Sequence, residues 1–358
     1  MFKRICFIIV CIAILSIACS NENNPVISNP LPERFYVTNQ ADQTVYIYDA
    51  VSFNLIDSFT TPVVEPHFIQ FTHDYQYYFV LGRQVSGSIA KYKTSNDSLV
   101  ALVQVEGAVF PTAFAISNNN DTLYLTDFTN DAGHTNRYDI SGTNFVWIDS
   151  VLQAGRQTHD VRISDDGKYV ISAGYSSDDI TVINTQTGDL KPISLIDGDN
   201  VFNPNSNNYG GYGVLIDHYS NLAIISCRKN VDQIRLVDFK NSVIVDSIVL
   251  AGVHSADPEP IYLVISPDNN FLYVANNKDS SMSVINLLTR QVVETVTFST
   301  PKPFGISISD DGKRVYVGCT NTRPELGMVY IIDGETFEKI DSVTAGSEPF
   351  GLIWAPSF

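Results

Sequence analysis

Basic residues are scarce in this sequence. It has 22 Lys and Arg against 39 Asp and Glu over 358 residues, which gives a formal net charge of −17. Neutralising nucleic-acid phosphates requires a basic surface, so this charge argues against a nucleic-acid partner. Charged residues make up only 17% of the chain and hydrophobic residues 44%. This balance excludes an intrinsically disordered chain and suffices to bury a large core.

Long apolar runs are also lacking. The run from Ile5 to Leu15 is shorter than the roughly 20 residues that span a bilayer, which disfavours an uncleaved anchor helix. It follows the basic pair Lys3 and Arg4 and ends in small residues before a cysteine, SIAC at 16–19. A basic start, a short apolar stretch and a small-residue end are typical of an export signal.

These residues resemble a bacterial lipoprotein signal. The resemblance implies a signal peptide over residues 1–18 and a lipid on Cys19, although Ser16 stands where the pattern prefers Leu. Residues 19–33, rich in Asn, Ser and Pro, are then a flexible tether. Ser20 follows the cysteine where the inner-membrane retention signal has Asp. We therefore expect an outer-membrane lipoprotein, facing the periplasm or the cell surface.

One apolar strand pattern recurs along the rest of the chain at a spacing of about 46 residues. Its seven copies are FYVTN (35–39), FVLG (79–82), LYLTD (123–127), VISAG (170–174), AIISC (223–227), LYVAN (272–276) and VYVGC (315–319). Three further short runs accompany each copy, rich in β-branched and aromatic residues and bounded by Asn, Asp, Gly or Ser, as strands are. In several repeats, the run that directly follows the recurring strand ends in an aspartate: Asp49, Asp139, Asp238 and Asp333. Turn formation explains these aspartates.

Repeated four-strand units without helical periodicity predict an all-β fold, a seven-bladed β-propeller of four-stranded antiparallel blades. Length alone suggests two domains, whereas one ring takes up all of residues 34–358. The chain enters this ring at the second strand of a blade, Phe35, and ends with an innermost strand at 349–355. We therefore predict that the C-terminal strand joins the first blade and closes the ring.

Several of these segments carry a family resemblance. The strands FYVTN and LYVAN, the turns SPDN and SDDGK, and the strands PFGISIS and PFGLIWA resemble the YVTN-type propeller repeats of the YncE-like group. The resemblance covers all seven blades and is strongest in the first, sixth and seventh. It implies the architecture but no single function, because such propellers include lactonases, redox enzymes and ligand-capture lipoproteins.

The predicted connections lengthen on one face of the ring. Connections after the first and third strands of each blade are short. Several of those after the second and fourth strands are long, namely 127–136, 197–211, 251–260 and 320–327. Long loops on a rigid scaffold commonly carry binding residues. We place the candidate site on this long-loop face.

Aligned on their first residues, the innermost strands each place one side chain at the mouth of the central channel. This column is His67, Thr112, His159, Tyr212, Ile261, Phe304 and Phe350. All except Ile261 are predicted ligand-binding residues, because aromatic and polar groups offer a rigid surface to a flat organic ligand. Arg156 and Arg323 on the same face are predicted to bind it as well. The alternative is that the column only caps the core between blades.

Histidines on the long-loop face raise the question of a metal site. His67, His134, His159 and His254 lie on separate loops without HxH or HxxxH spacing, so we predict no metal and no other cofactor. Cys227 and Cys319 occupy one repeat position two blades apart, beyond the roughly 7 Å that a disulfide can bridge, and are expected to be free thiols. No nucleophile motif is found, so no catalytic residue is assigned.

The preferred hypothesis is a membrane-anchored propeller lipoprotein that binds a small molecule or a protein partner on the long-loop face. It is similar to propeller lipoproteins that capture nutrients such as corrinoids beside outer-membrane transporters, which implies a monomer or a transporter-associated subunit. One alternative is a lactonase-like hydrolase that uses groups such as His159, Asp160 and Arg156 on the same face. The other is a structural surface-layer protein.

Overall fold

Short runs of β-branched and aromatic residues form the regular elements of this protein. The computed structural model describes residues 30–84, 87–105, 108, 110–128, 132–198, 203 and 205–358, and every regular element in these ranges is a β-strand. Cys19, the predicted signal peptide and most of the predicted tether lie outside these residues. The propeller forms one unit from Leu31 to Phe358.

The strands of the first four blades follow one another along the chain, except that the first blade takes its innermost strand from the C-terminus. The first blade holds β1 (Arg34–Asn39), β2 (Thr44–Asp49), β3 (Leu55–Thr60) and the terminal β28 (Pro349–Ala355). The second holds β4 (Pro66–Phe71), β5 (Tyr77–Gly82), β6 (Ser88–Lys93) and β7 (Ser98–Gln104). The third holds β8 (Pro111–Ile116), β9 (Thr122–Asp127), β10 (Ala132–Asp139) and β11 (Val146–Arg156). The fourth holds β12 (Thr158–Ile163), β13 (Tyr169–Gly174), β14 (Asp179–Asn184) and β15 (Leu190–Ser194).

The remaining blades repeat the same order. The fifth holds β16 (Gly211–Ile216), β17 (Ala223–Arg228), β18 (Asp232–Asp238) and β19 (Val243–Val249). The sixth holds β20 (Pro260–Ile265), β21 (Phe271–Asn276), β22 (Ser281–Asn286) and β23 (Gln291–Thr297). The seventh holds β24 (Pro303–Ile308), β25 (Arg314–Cys319), β26 (Met328–Asp333) and β27 (Lys339–Thr344).

The ring is closed by its two ends. Strand β28 pairs antiparallel with β1, with Phe35 opposite Trp354 and Tyr36 opposite Ile353. The predicted all-β, seven-bladed propeller and its closure by the C-terminal strand are confirmed. Apolar cores fill the spaces between neighbouring blades, as where Tyr36 and Ile47 pack with Val80.

Aspartate at the end of the third strand of a blade, counted from the innermost strand, starts the next turn, as predicted. Asp49 Oδ1 accepts hydrogen bonds from the amides of Val51 (2.9 Å) and Ser52 (2.7 Å). Asp333 repeats this arrangement in the seventh blade with the amides of Glu335 and Thr336. These carboxylates therefore shape turns on the face opposite the candidate site.

Each innermost strand contains one extra residue near its start. In the fourth blade, Thr158 of β12 pairs with Gly174 of β13, and Val161 pairs with Ser172. Between these two pairs, β12 advances by three residues while β13 advances by only two. The other innermost strands have comparable register shifts. A bulge of this kind redirects the side chains beside it. Strict alternation of side chains from the first residue of the strand therefore fails at this point.

Most of the predicted long connections match the strand boundaries. The stretches 195–210, 250–259 and 320–327 lie between consecutive strands on one face. The segment 127–136 differs, because β10 begins at Ala132 and pairs with the long strand β11. Residues 132–136 of that predicted loop are therefore part of a β-hairpin.

Candidate functional site

The residues at the start of the innermost strands pack into one cluster across the channel, which we call the aromatic plug. Its members are His67, His159, Tyr212, Tyr262, Phe304 and Phe350. The His159 ring stacks on Tyr212 at 3.5 Å between centroids, and Phe304 meets Phe350 edge-on at 4.2 Å. Tyr262 contacts Phe304 at 5.4 Å. The histidines and aromatic residues of the predicted column thus come together, but as a filled mouth rather than an open ring.

The two plug histidines are buried, each only 1% exposed. His67 Nδ1 shares a hydrogen bond with Gln40 Oε1 (3.0 Å). His67 Nε2 and both ring nitrogens of His159 have no partner among the described residues. Burial, with a smaller contribution from the charge of Arg83, holds the pKa of both imidazoles well below its usual range. Both are therefore neutral at physiological pH.

The other predicted site residues have different surroundings. Thr112 is fully buried, and its hydroxyl donates to the carbonyl of His159 (2.7 Å), joining the third and fourth blades. Arg156 is half-buried at the end of β11, and its amide donates to Ser177 Oγ (2.8 Å). Arg323 is exposed in the 320–327 loop and pairs with Glu348 (2.5 Å). Thr112 therefore joins blades, while both arginines remain on the long-loop face.

A second column, which we call the rim, surrounds the plug. It consists of one residue per blade, which directly follows the second strand, or in the fifth blade ends it: Gln40, Arg83, Phe128, Tyr175, Arg228, Asn277 and Thr320. The rim touches the plug directly, since Phe128 contacts His159 at 5.7 Å and the Arg228 guanidinium lies 4.7 Å from the Tyr212 ring centroid. Together they form the surface that a ligand on this face would meet.

One side of the rim is a continuous arc of cations and aromatic rings. The Arg83 guanidinium lies 5.8 Å from the Phe128 ring, and Phe128 lies 5.5 Å from Tyr175. The Lys229 ammonium lies 3.9 Å from the Tyr175 ring centroid. Arg228 completes the arc against Tyr212. We call these residues the cationic arc.

Two arginines of the arc differ in whether a carboxylate pairs with them. Arg228 forms an ion pair with Glu259. Within the described part of the chain, no carboxylate lies within ion-pair distance of Arg83. Its charge still reaches the plug, where it lowers the pKa of His67 and His159. Arg83 is therefore a cation directed at the mouth of the channel without an anionic partner from the described protein.

Phe128, Tyr175 and Tyr262 lie at the site although the sequence patterns did not predict them. Phe128 and Tyr175 each follow the last residue of a second strand, so aligning the repeats on that strand would have found them. Tyr262 follows Ile261, which the unbulged alignment had placed at the mouth. The bulge instead turns the Tyr262 ring toward His159, at 5.9 Å.

The remaining histidines do not join the plug into a metal centre. His254 Nδ1 lies 2.9 Å from the carbonyl oxygen of Asp279. In the described ranges, no group of at least three His, Cys, Asp or Glu is arranged to hold a metal ion. Cys227 and Cys319 are free and buried. Among the same residues, no helix is long and apolar enough to cross a membrane.

These features define a class of protein, a seven-bladed β-propeller with an aromatic channel mouth. The family model described as "Lactonase, 7-bladed beta-propeller" matches residues 80–206. The chain is also similar to Antigen Lp49 of Leptospira interrogans, with 29% identity over 126 aligned residues. That match covers 29% of this chain and 27% of the antigen, so the chain spans about a quarter of that relative's length.

Solved structures show the same fold at low sequence identity. The periplasmic gluconolactonase PpgL of Pseudomonas aeruginosa has a TM-score of 0.72 at 17% identity, covering 90% of this chain and 99% of that one. Hydrazine synthase of Kuenenia stuttgartiensis has a TM-score of 0.64 at 16% identity, covering 82% and 91%. At these identities the likeness concerns the fold alone.

Proposed function

We propose that this protein is an exported lipoprotein, anchored in the outer membrane through Cys19, that binds a small, flat, anionic molecule at the long-loop mouth of its propeller. The observation that carries the proposal is the cationic arc, where Arg83, Arg228 and Lys229 border the aromatic rings of the mouth. The proposed role is binding without chemistry, as in nutrient capture beside a transporter.

The chemistry of the arc favours an anion. The chain carries a net charge of −17, so cations gathered at one point of its surface contrast with the rest of the molecule. Arg83 lacks an ion-pair partner among the described residues, and a ligand carboxylate would supply one. Phe128 and Tyr175 offer ring faces and edges to a flat ligand body. A buried floor and a polar edge are typical of small-molecule sites.

A matched pair of probes tests the proposal. Naphthalene-2-carboxylate and its neutral carboxamide have the same ring system and differ in charge, and fluorescence titration measures both. We expect the carboxylate to bind about tenfold more tightly, as a charged hydrogen bond contributes about 1.5–3 kcal/mol. Arg83→Gln should remove this preference, while Arg290→Gln, which alters an outer ion pair with Asp246, should preserve it. Equal affinity for both probes in the unaltered protein would refute an anion site.

The lactonase alternative has its own support. The matched segment 80–206 includes Arg156 and His159, and a neutral imidazole can accept a proton. Against it, His159 is stacked under Tyr212, and its ring nitrogens contact no orienting carboxylate among the described residues.

Assaying δ-gluconolactone hydrolysis with His67→Phe, His159→Phe and Arg156→Gln separates the two functions. If the protein is a hydrolase, one of these substitutions should lower the rate of hydrolysis by orders of magnitude. If it only binds a ligand, each substitution should weaken ligand affinity by a moderate factor. Turnover that disappears only in His159→Phe would establish the hydrolase.

Membrane anchoring is tested separately. Cys19→Ser should abolish incorporation of labelled palmitate and release the protein from the membrane fraction, because the lipid is the proposed anchor. Cys6→Ser, within the proposed signal, is the matched control and should leave labelling unchanged. Labelling that persists in Cys19→Ser would exclude this anchor.

A further inference from the structure

The central channel contains a cavity that is separate from the long-loop mouth. It has a volume of about 210 Å³ and is lined by innermost strands, with Phe68, Gln70, Arg162, Leu215, Tyr262 and Ile353 among its walls. Tyr262 packs against Tyr212 and Phe304 of the plug and also lines this cavity. The plug therefore separates the cavity from the rim, and the cavity lies toward the short-turn face.

The cavity wall contains one anchored cation. Arg162 Nη1 donates to Asp160 Oδ1 (2.6 Å) and to the carbonyl of Val161 (2.8 Å). Asp160, whose side chain is 1% exposed, also accepts from the amides of Val161 (2.9 Å) and Val214 (3.0 Å). The negative charge of Asp160 is thus shared among several donors. Arg162 is fixed in place by it and keeps 27% of its side chain exposed.

The same cation retains binding capacity. Among the described residues, the Nε and Nη2 groups of Arg162 have no hydrogen-bond acceptor, and its guanidinium lies 5.8 Å from the centroid of the Phe68 ring. A guanidinium has five N–H donors in a planar fork that matches a carboxylate. Arg162 can therefore hold Asp160 and still bind a second acceptor.

Two buried polar atoms in the cavity wall lack partners. These are the Tyr262 hydroxyl and Gln70 Oε1, neither of which has a hydrogen-bond partner among the described residues. A buried polar group without a partner is costly, and a bound polar molecule would relieve that cost. Burial raises the pKa of Tyr262 well above its usual range, so its hydroxyl stays protonated as a donor.

The other walls limit what fits. Leu215, Val264 and Ile353 make much of the lining apolar. A volume of about 210 Å³ corresponds to about seven water molecules at about 30 Å³ each. This is smaller than a site for a drug-sized ligand, about 300–1,000 Å³. The occupant must be small, with one anionic end and a short apolar body.

We propose that this cavity is a second binding site, selective for small organic monocarboxylates, in which Arg162 binds the carboxylate, Tyr262 donates a hydrogen bond to it, and the apolar wall holds the body of the ligand. The site is distinct from the long-loop mouth and does not depend on the function proposed for that face.

Benzoate and its neutral analogue benzamide provide the test, with NMR of the methyl groups of Leu215 and Ile353 as the readout. We expect benzoate to shift both methyl signals with saturation and benzamide to bind about tenfold more weakly, as a charged hydrogen bond implies. Arg162→Met should weaken benzoate binding by about tenfold or more. Tyr262→Phe, which removes only the hydroxyl, should weaken it about threefold to tenfold.

The controls distinguish this site from the rim. Arg83→Gln should leave the benzoate-induced shifts of Leu215 and Ile353 unchanged, even where it abolishes binding at the mouth. If Arg162→Met does not fold, Tyr262→Phe and the comparison with benzamide decide the outcome. Equal shifts by benzoate and benzamide, unchanged affinity in Tyr262→Phe, or no shift at all would overturn the proposal and leave a cavity filled only by water.

Discussion

At the scale of single residues, the histidines of the plug differ from ordinary surface histidines. His67 and His159 are surrounded by aromatic rings, and the positive charge of Arg83 lowers the pKa of both. Both effects disfavour the protonated ring, and burial is the larger one. Their neutrality is therefore linked to the stability of the folded state.

This linkage predicts acid destabilisation. Because the folded pKa of each histidine lies below its unfolded value, the unfolded chain binds more protons once the pH falls below about 6.5, and stability decreases. Each buried histidine contributes up to about 1.4 kcal/mol per pH unit. Asp179, whose pKa burial raises to about 7, changes stability in the opposite direction over the same range, so the histidine effect is measured as a difference between variants. In urea unfolding, His159→Phe should become more stable relative to the unaltered protein as the pH falls from 7.5 to 5.5.

An exposed histidine is the matched control for this prediction. His218 is 66% exposed and pairs with Asp165, so the difference in stability between His218→Asn and the unaltered protein should change little between pH 7.5 and 5.5. Identical pH profiles for His159→Phe and the unaltered protein would contradict the role given to burial.

At the scale of elements, the bulged innermost strands determine which side chains point into the channel. Phe68 and Tyr262 occupy the third position of their strands, where other blades have Gly213, Gly305 and Gly351. The glycines thus leave space in the channel for the rings of Phe68 and Tyr262. The glycines also let neighbouring innermost strands approach closely, since a Cβ at Gly213 would lie 2.4 Å from the carbonyl oxygen of Ile261.

The strands could be predicted from the sequence because each blade repeats one local pattern. FYVTN and LYVAN are both found as predicted, in β1 and β21. The bulges could not be predicted, because they depend on pairing across strands, and they explain why Tyr262 was missed. The burial of Thr112 was likewise hidden, since its hydrogen bond to His159 joins two blades. The rim residues, by contrast, could have been predicted by aligning the repeats on the second strand of each blade.

Close packing of the innermost strands predicts sensitivity to one added methyl group. A Cβ at Gly305 would lie 2.4 Å from the carbonyl oxygen of Phe350 and 2.9 Å from Leu352 Cβ. Gly305→Ala should therefore lower the free energy of unfolding by about 1–3 kcal/mol, measured by urea denaturation. Gly142→Ala is the control, because its nearest neighbour would be 3.7 Å away, and it should have little effect. Equal stability of the two variants would argue against close strand contact.

At the scale of the whole molecule, stability depends on joining the two ends of the propeller. The amide of Gly351 donates to Thr38 Oγ1 (2.9 Å), and the amide of Gln40 donates to the carbonyl of Glu348 (2.8 Å). The Tyr48 hydroxyl donates to the carbonyl of Thr344 (2.7 Å) across the first and seventh blades. Without β28, the ring would lose the pairing of this strand with β1, including the Gly351 contact, and expose the edge of β1.

Ring closure predicts that removal of residues 349–358 prevents stable folding. The shortened chain should lose the cooperative thermal transition, because the cores beside β28 lose Leu352 and Trp354, and adding the 349–358 peptide in excess should restore it by strand addition. A peptide with Gly351→Val is the control and should rescue poorly, since even a Cβ at this position would lie 2.5 Å from Thr38 Oγ1. A shortened chain that melts at the same temperature as the full one would show that the ring does not require its last strand.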